Sequence, residues 1–299
     1  LLTRKDERTA IEDQTAENHA RECKEKNDTV PAGKTETTVQ KIQISHLNFA
    51  YPDGKKILDD ICLSAEKGQI IGITGAVACG KSTLGKVFLC EYPYEGQILV
   101  DGTDLQAMDE ADRTKRIGYL GHDPELFFDS VENNILLGEK KEADNYLKAV
   151  CMEQEVAEME DGKQTAVGNG GVRLSGGQAK RLALARTLCH KKPVLILDDP
   201  FSALDKNTEK QIFANLKQQT KDNIVFLISH RLYLFPQMNQ VIWMEDGKAV
   251  AGTHEEILEK IPEYRSLYET QSDERENAKV ETENRKTVSE HTEERRSGR

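Results

Sequence analysis

The segment Gly75–Ser82, GAVACGKS, constrains the fold of this chain more than any other. It follows an apolar stretch at 69–74 and precedes a helical pattern that begins near Lys81. A strand that runs into a glycine-rich turn and then a helix is the context in which GxxxxGK[ST] holds phosphate. Its glycines let backbone N–H groups face phosphate oxygens, and the helix N-terminus adds the positive end of its dipole. The spacing therefore predicts a P-loop.

Different residues of this loop are expected to contact different parts of a bound nucleotide and its Mg²⁺ ion. The Lys81 ammonium group would reach the β- and γ-phosphates, and the Ser82 hydroxyl would ligate Mg²⁺. The predicted nucleotide-binding residues of this segment are Gly75, Ala76, Val77, Ala78, Cys79, Gly80, Lys81, Ser82 and Thr83.

A second apolar strand ends in two carboxylates. The segment 194–198 reads VLILD, and Asp199 follows it. A buried strand with a polar end is a common pattern by itself, and it gains meaning when it is paired with a P-loop. Asp198 is then expected to hold Mg²⁺ through water, and Asp199 to orient the attacking water.

The order of apolar segments predicts the fold class. The first strands are joined by turns such as YPDG, residues 130–190 carry helical periodicity, and helix and strand alternate to about 245. The prediction is an α/β fold, a P-loop NTPase core with a mainly parallel sheet, an N-terminal antiparallel β subdomain and a helical insert. Strands are expected at 39–49, 57–65, 69–74, 97–102, 117–120, 194–198 and 224–228.

The two ends of the chain differ in composition from its centre. Residues 1–38 and 270–299 mix charges of both signs and contain almost no large apolar residues. Such segments do not bury enough apolar surface to offset their ordering entropy. We therefore predict a disordered charged linker at 1–38, a globular domain at 39–269 and a disordered charged tail at 270–299.

Charge and cysteine content exclude some classes of protein. The net charge of -11 argues against a chain that wraps nucleic acid, so no nucleic-acid partner is expected. No apolar run approaches the eighteen or so residues of a membrane span. The six cysteines form no CxxC pair, which favours a reducing setting and disfavours a zinc site. The chain begins with Leu1 rather than Met, and we expect a cut in a longer chain there.

The pentapeptide LSGGQ at 174–178 lies shortly before the Asp-ended strand. Its serine is expected to cap a helix whose glycine-rich start exposes N–H groups. LSGGQ between a P-loop and such a strand resembles the ATP-binding cassette (ABC) transporter ATPases. The resemblance implies a head-to-tail dimer that encloses two ATP molecules with Mg²⁺. In it, the γ-phosphate bound by a second cassette would face Ser175, Gly176, Gly177 and Gln178.

Three further positions match the family. Tyr51 matches the aromatic residue that stacks on adenine, Asp205 belongs to the SALD loop that crosses the dimer interface, and His230 matches the switch histidine at the γ-phosphate. Taken singly, Tyr51 reads as a turn aromatic and His230 as a packed core histidine. The order of the five motifs favours the functional interpretation.

The resemblance covers about 39–269 and is greatest to the exporter branch. Segments 117–135 and 165–178 are similar to exporter segments that touch the coupling helices of a membrane domain. The helical signature subdomain would span about 122–190. The resemblance implies a membrane domain fused upstream of Leu1, a second cassette as partner and a location at the cytoplasmic face of the cell membrane.

Four positions depart from the family pattern. Ala78 replaces a glycine, so a left-handed backbone there would be strained. His122 replaces the glutamine that contacts Mg²⁺ and water, Asp199 replaces the catalytic glutamate, and Asn169 replaces a glutamate near the membrane domain. One missing methylene withdraws a carboxylate by about 1 Å, which costs about a hundredfold in a positioned reaction.

Three of these departures, Ala78, His122 and Asp199, belong to the composite site built on this chain's own P-loop, while LSGGQ and SALD are intact. This distribution favours one subunit of a heterodimeric exporter that binds ATP firmly and hydrolyses it slowly. A homodimer that tolerates aspartate is the alternative. A regulatory nucleotide-binding module with little turnover stays open, whereas a cassette acting on ribosomes or DNA is disfavoured. The sequence does not indicate the transported substrate.

Cys79 lies inside the P-loop beside Lys81. We expect thiol alkylation to block nucleotide binding there and ATP to protect the thiol. A small residue that merely fits the loop is the alternative interpretation.

Overall fold

The computed structural model describes residues 37–52 and 54–271. Apart from residues 37, 38, 270 and 271, the predicted linker and tail lie outside the described residues, and the predicted domain boundaries stay predictions. The strands are β1 Lys41–Ala50, β2 Lys56–Glu66, β3 Ile70–Gly75, β4 Glu95–Val100, β5 Thr103–Asp104, β6 Ile117–Leu120, β7 Asp129–Ser130, β8 Ala166–Val167, β9 Val194–Asp198, β10 Ile224–Ile228, β11 Gln240–Glu245 and β12 Lys248–Gly252.

The helices are mostly short. They are α1 Lys81–Lys86, α2 Glu110–Arg116, α3 Val131–Leu136, α4 Ala143–Ala149, α5 Glu153–Ala157, α6 Gly176–Cys189, α7 Lys206–Gln219 and α8 His254–Lys260, and residues 262–271 are also helical. Single 3-10 turns lie at Val87–Leu89, Leu105–Ala107, Gly162–Gln164 and Leu232–Gln237. Among the described residues, no helix combines the length and the hydropathy that a membrane crossing requires.

Two sheets carry the fold, and they confirm the predicted α/β class. An antiparallel sheet has the strand order β2-β1-β4-β5. A larger sheet has the order β12-β11-β3-β10-β9-β6, and all its neighbours are parallel except β11 and β12. The short strands β7 and β8 pair separately. The mainly parallel core and the antiparallel start are therefore both as predicted.

The larger sheet is buried on both faces, because side chains alternate between two apolar cores. In β9, Leu195 and Leu197 join the core that includes the helical insert. Val194 and Ile196 join the core shared with the antiparallel sheet. This double burial explains why β9 and β10 read as unbroken apolar runs in the sequence.

The helical insert is divided into more separate helices than its periodicity predicts. Helix α3 ends at Leu136 and its C-cap Leu137 has a φ of 46°, while Cys151, shortly after α4, has a φ of 54°. A left-handed residue interrupts a helix without changing the apolar spacing around it. The four helices α3 to α6 therefore stand where the sequence shows one periodic stretch.

Candidate nucleotide site

The carboxyl ends of four parallel strands meet at one cavity of about 400 Å³. Strand β3 leads into the P-loop, β6 ends just before His122, β9 ends at Asp198, and β10 ends just before His230. Ligands of open α/β sheets bind at this edge of the sheet. The cavity is lined by Ile57, Val77, Ala78, Cys79, Gly80, Lys81, Ser82, Thr83, His122, Asp198, Asp199, Ile228 and His230.

The backbone of the P-loop requires glycine where the sequence has it. Gly75 has a φ of 143°, and a Cβ there would lie 2.0 Å from the carbonyl oxygen of Met244. Gly80, the N-cap of α1, has a φ of 100°. Ala78 has a φ of 61°, the left-handed conformation that the sequence analysis described as strained for alanine. Such a residue costs on the order of 1 kcal/mol.

Lys81 is buried against the loop that precedes it. Its Nζ donates to the carbonyl oxygens of Gly75 at 3.1 Å and Ala76 at 2.6 Å. These hydrogen bonds hold the ammonium group against the carbonyl oxygens of the loop, and the long side chain lines the cavity. A cradle of N–H groups with a buried cation beside it fits the phosphates of a nucleotide.

Asp198 has a partner that the sequence analysis missed. The hydroxyl group of Tyr119, on β6, donates to Asp198 Oδ2 at 3.3 Å. Burial, and then the charge of Asp198, raises the pKa of Tyr119 far above its usual range, so Tyr119 stays protonated as a donor. The parallel pairing of β6 with β9 brings the two residues together across 79 positions. No local pattern reveals such a contact.

Two of the departures from the family pattern face each other in the cavity. Asp199 has a φ of 50°, and its backbone N–H donates to the Ile228 carbonyl oxygen at 2.9 Å. Its Oδ2 lies 3.8 Å from Nδ1 of His122. The side chain of Asp199 is 15% exposed and that of His122 is 55% exposed. A carboxylate and an imidazole ring thus lie side by side in the cavity.

The backbone at His230 is hydrogen-bonded to Gln271, the last described residue. Burial, and then the charge of Lys81, lowers the pKa of His230, while Asp199 and Asp198 oppose this effect. The ring is therefore mostly neutral at pH 7. The carbonyl oxygen of His230 accepts from Gln271 Nε2 at 2.9 Å, and the Gln271 side-chain oxygen accepts from the Leu232 N–H at 3.0 Å. The sequence analysis did not foresee this double contact.

Ser175 caps α6, as predicted. Its hydroxyl accepts from the Gln178 N–H at 3.2 Å, and the Gln178 side chain accepts from the Ser175 N–H at 2.9 Å. Gln178 also donates to Glu155 at 2.9 Å, and Arg181 binds the same carboxylate at 2.6 and 2.8 Å. This network positions the start of α6, where a Cβ on Gly176 would meet no atom within 4 Å.

Not all predicted site residues reach the cavity. The residues of LSGGQ and Asp205 do not line it, nor do Gly75 and Ala76. Asp205 instead caps α7, where its Oδ1 accepts from the N–H groups of Asn207 and Thr208 at 3.0 Å each. The Thr208 hydrogen bonds hold the pKa of Asp205 below its usual range. The P-loop half and the signature half of the predicted site are thus separate within one chain.

Tyr51 lies in a small neighbouring cleft rather than in the main cavity. Its ring packs edge-on against Phe49 at 4.9 Å and Tyr92 at 5.8 Å. The same cleft is lined by Thr83 and Lys86 of the P-loop side. The aromatic group therefore lies beside the P-loop helix α1.

Comparison with known proteins identifies this arrangement. The family model described as "ABC transporter" matches residues 58–202, which include the P-loop, LSGGQ and the two carboxylates. The chain belongs to the ABC transporter family. Its described domain is therefore an ABC ATPase domain, a member of the P-loop NTPases.

Two curated ABC relatives show the extent of the match. One is the "Probable multidrug resistance ABC transporter ATP-binding/permease protein YheI" of Bacillus subtilis, 37% identical over 77% of this chain and 40% of that protein. Another is the "ATP-dependent lipid A-core flippase" of Burkholderia pseudomallei, 34% identical over 77% of this chain and 40% of that protein. The chain thus spans about two fifths of the curated relatives it matches.

A solved structure confirms the ABC fold. It is titled "Structure of a bacterial Atm1-family ABC exporter with ATP bound" and superposes with a TM-score of 0.74 at 25% identity. The match covers 87% of this chain and 48% of the exporter.

Proposed function

We propose that this chain is the ATP-binding and hydrolysing domain of an ABC exporter and that it pairs head-to-tail with a second cassette around ATP and Mg²⁺. The separation of the two half-sites is the observation that carries this proposal. The P-loop, both carboxylates and His230 line one cavity, whereas the capped, open start of α6 lies outside it. A second cassette would supply to each cavity the helix start that one chain lacks.

The side chains present fit ATP and Mg²⁺. Lys81 and the loop N–H groups would bind phosphate oxygens, and Tyr51 would stack on the base. Ser82, Asp198 and His122 would hold Mg²⁺. When bound, Mg²⁺ would neutralise negative charge on the phosphates. Asp199 would orient water, and the neutral His230 would donate to the γ-phosphate or accept from the water.

We further propose that this chain's own site hydrolyses ATP slowly, in a heterodimer with a cassette that carries glutamate. Support comes from the three departures, because Ala78, His122 and Asp199 all line the same cavity. The helix cap of LSGGQ and the Asp205 cap are intact. These three substitutions all lie in the half-site that contains this chain's own P-loop. A homodimer that tolerates aspartate, and a regulatory module with little turnover, are the competing proposals.

An exposed apolar surface supports a membrane-domain partner. Phe127, Phe128 and Val172 are 58%, 66% and 52% exposed, and all three lie in the exporter-like segments of the sequence. The Arg186 guanidinium lies 4.9 Å from the centre of the Phe127 ring. Apolar surface of this kind marks an interaction site. The relative named an ATP-binding/permease protein supports a fused membrane domain. With such a partner, we propose that the cassette lies at the cytoplasmic face of the membrane.

The head-to-tail arrangement predicts complementation between two defective chains. Lys81→Ala removes a phosphate contact from one half-site, and Ser175→Arg blocks the helix start of the other. Each variant alone would form no ATP-dependent dimer, because both composite sites would be damaged. An equimolar mixture would restore dimers with one intact site, measured by sedimentation velocity with ATP and Mg²⁺.

The matched control for this experiment is a mixture of two Lys81→Ala preparations, which would stay monomeric. Each variant is first checked for a wild-type circular dichroism spectrum. Failure of the Lys81→Ala and Ser175→Arg mixture to dimerise, while the unmodified chain does, would contradict the head-to-tail proposal.

Cys79 provides a separate test of nucleotide binding in the cavity. The thiol is buried in the P-loop, with Sγ 3.7 Å from Lys81 Nζ. A bulky alkyl group there would occupy the phosphate position, so N-ethylmaleimide is expected to abolish ATP binding. ATP at ten times its dissociation constant should slow the labelling of Cys79 about tenfold by mass action. Labelling is read by peptide mass spectrometry.

The exposed Cys62 is the internal control, since its labelling rate should not respond to ATP. Cys79→Ser should make ATP binding insensitive to the reagent. Equal labelling of Cys79 with and without ATP would overturn this prediction.

A further inference from the structure

The pairing of β1 with β2 is irregular at three places, and the first of them holds an unusual set of side chains. The register shifts between Ile44 and Leu47, and two residues at the irregularity, His46 and Asp60, have left-handed φ values of 51° and 55°. Strained residues of this kind persist only where their surroundings hold them. The irregularity brings together three exposed side chains that differ in chemistry, those of His46, Asp60 and Cys62.

The donor atoms of these side chains converge. His46 Nδ1 lies 2.7 Å from Asp60 Oδ1 and 4.0 Å from Cys62 Sγ. All three donor atoms lie within 4.8 Å of one another. The backbone N–H of His46 also donates to Cys62 Sγ at 3.2 Å, which holds the sulfur beside the ring. An imidazole, a carboxylate and a thiol thus face one point on the surface.

The backbone that carries these groups is braced. The Asn48 side chain donates to the His46 carbonyl oxygen at 2.8 Å and accepts from the Asp60 N–H at 3.0 Å, so it bridges both strands. On the other side β4 packs closely, because a Cβ on Gly96 would lie 2.2 Å from the His46 carbonyl oxygen. The backbone positions of His46 and Asp60 are therefore held before any ligand binds.

We propose that His46, Asp60 and Cys62 bind one Zn²⁺ ion. Thiolate, imidazole and carboxylate are the three protein ligands that zinc takes, and its fourth tetrahedral position would hold water on this exposed surface. Mg²⁺ and Ca²⁺ are disfavoured, because they select oxygen ligands. Tetrahedral angles and zinc bond lengths place a nitrogen and a sulfur ligand about 3.5 Å apart, so small side-chain rotations suffice.

The proton balance of binding is simple. The thiol proton of Cys62 leaves to solvent, and the neutral imidazole of His46 carries its proton on Nε2 when Nδ1 binds the ion. Zinc then replaces the hydrogen bond between Nδ1 and the carboxylate. The ion would link β1 to β2 across the irregularity, in the hairpin that also carries Tyr51.

This site is distinct from the nucleotide cavity, which none of the three residues lines. The sequence analysis disfavoured zinc because the cysteines show no CxxC spacing. Here a single cysteine joins a histidine 16 residues and an aspartate two residues before it, and the strand pairing makes them neighbours. Spacing rules for zinc motifs do not cover ligands that come from opposite strands of a hairpin.

The test is a Co²⁺ titration of the full reduced chain, followed by equilibrium dialysis against Zn²⁺. We expect one ion per chain, a thiolate-to-Co²⁺ band in the near ultraviolet, and a dissociation constant for Zn²⁺ of about 1 μM or below. Cys62→Ser should abolish the band, and His46→Gln should weaken binding at least tenfold. ATP binding by both variants, unchanged from wild type, shows that they fold.

Cys90→Ser and Cys23→Ser are the matched controls, and both should retain the band. The titration is repeated with excess Mg²⁺ and no nucleotide, so that oxygen ligands of the nucleotide cavity do not compete for the metal. The proposal would be overturned by a band that survives Cys62→Ser or by a band lost in either control variant. It would also be overturned if binding is not stoichiometric at a free Zn²⁺ concentration 10 times the expected dissociation constant.

Discussion

Replacing Asp199 by glutamate together with His122 by glutamine should raise ATP turnover at this chain's own P-loop by about a hundredfold. We have proposed that Asp199 orients the attacking water, and its side chain is one methylene shorter than that of glutamate. Its backbone cannot move forward to compensate, because its N–H is bonded to the Ile228 carbonyl oxygen at 2.9 Å. The longer side chain would restore the missing reach toward the water.

The second substitution matters because of the contact between the two side chains. His122 Nδ1 lies 3.8 Å from Asp199 Oδ2, so a protonated ring would draw the carboxylate away from the water. Glutamine carries no charge and would bind the water and Mg²⁺ through its amide. Each single variant should therefore gain less than the double variant, and the two effects should not be additive.

Steady-state phosphate release at saturating ATP measures this prediction. The gain should appear in kcat, while ATP affinity changes little, because neither residue belongs to the phosphate cradle. The double variant His122→Gln with Asp199→Asn is the matched control, since it has an amide of nearly the same size and should not gain. Brisk, cooperative hydrolysis by the unmodified chain alone would contradict the slow-site proposal.

The sequence predicts best what is fixed by local pattern and double burial. The strands at 117–120, 194–198 and 224–228 agree with β6, β9 and β10 at both ends. Each is a short, mainly apolar run that ends where a glycine or a polar residue begins the next loop, so its limits coincide with the edge of the buried sheet. The P-loop and the Asp-ended strand could then be placed at one edge, because parallel strands share their carboxyl ends.

Contacts that depend on tertiary pairing could not be predicted from the sequence. Tyr119 binds Asp198 across 79 positions, and Gln271 binds the His230 carbonyl oxygen across 41. Neither Tyr119 nor Gln271 belongs to a recognisable motif in its own segment, so no residue spacing predicts the contact. The sequence also gave no sign that Glu209 would be wholly buried, because its place on α7 reads as an exposed first-turn carboxylate.

Glu209→Gln should remove a large fall in stability between pH 5 and pH 8. The Glu209 side chain is 0% exposed, and its Oε1 lies 3.1 Å from Arg231 Nε. This contact lacks hydrogen-bond geometry, and within the described residues neither carboxylate oxygen has a hydrogen-bond partner. Burial therefore raises the pKa of Glu209 from 4.5 to about 7, although Arg231 opposes the shift.

The direction of the pH effect follows from this pKa. Between 4.5 and about 7 the folded protein holds a proton on Glu209 that the unfolded chain has lost. The contribution to stability is complete below pH 4.5 and disappears as the pH rises through about 7. A shift of this size corresponds to about 3 kcal/mol. As the pH rises through this range, the free energy of unfolding of the wild-type chain should therefore fall by about that amount relative to that of the Glu209→Gln variant.

Urea denaturation at a series of pH values measures the difference. Glu263→Gln, an exposed carboxylate near the C-terminal end of the described chain, is the matched control and should give a curve parallel to wild type. Subtracting the Glu209→Gln curve from the wild-type curve isolates this one group, since all other titrations cancel. Parallel curves for wild type and Glu209→Gln would show that Glu209 does not titrate in this range.

The same group links α7 to the segment that carries His230. Glu209 follows the Asp205 cap on α7, and its backbone N–H donates to the Asp205 carbonyl oxygen at 3.0 Å, while Arg231 directly follows His230. Near pH 7 the carboxylate is about half protonated, so its attraction for Arg231 is only partly expressed. Arg231→Gln removes the opposing charge and should raise the pKa of Glu209 further, which would extend the fall in stability to higher pH. A fall that keeps its midpoint in Arg231→Gln would mean that burial alone sets this pKa.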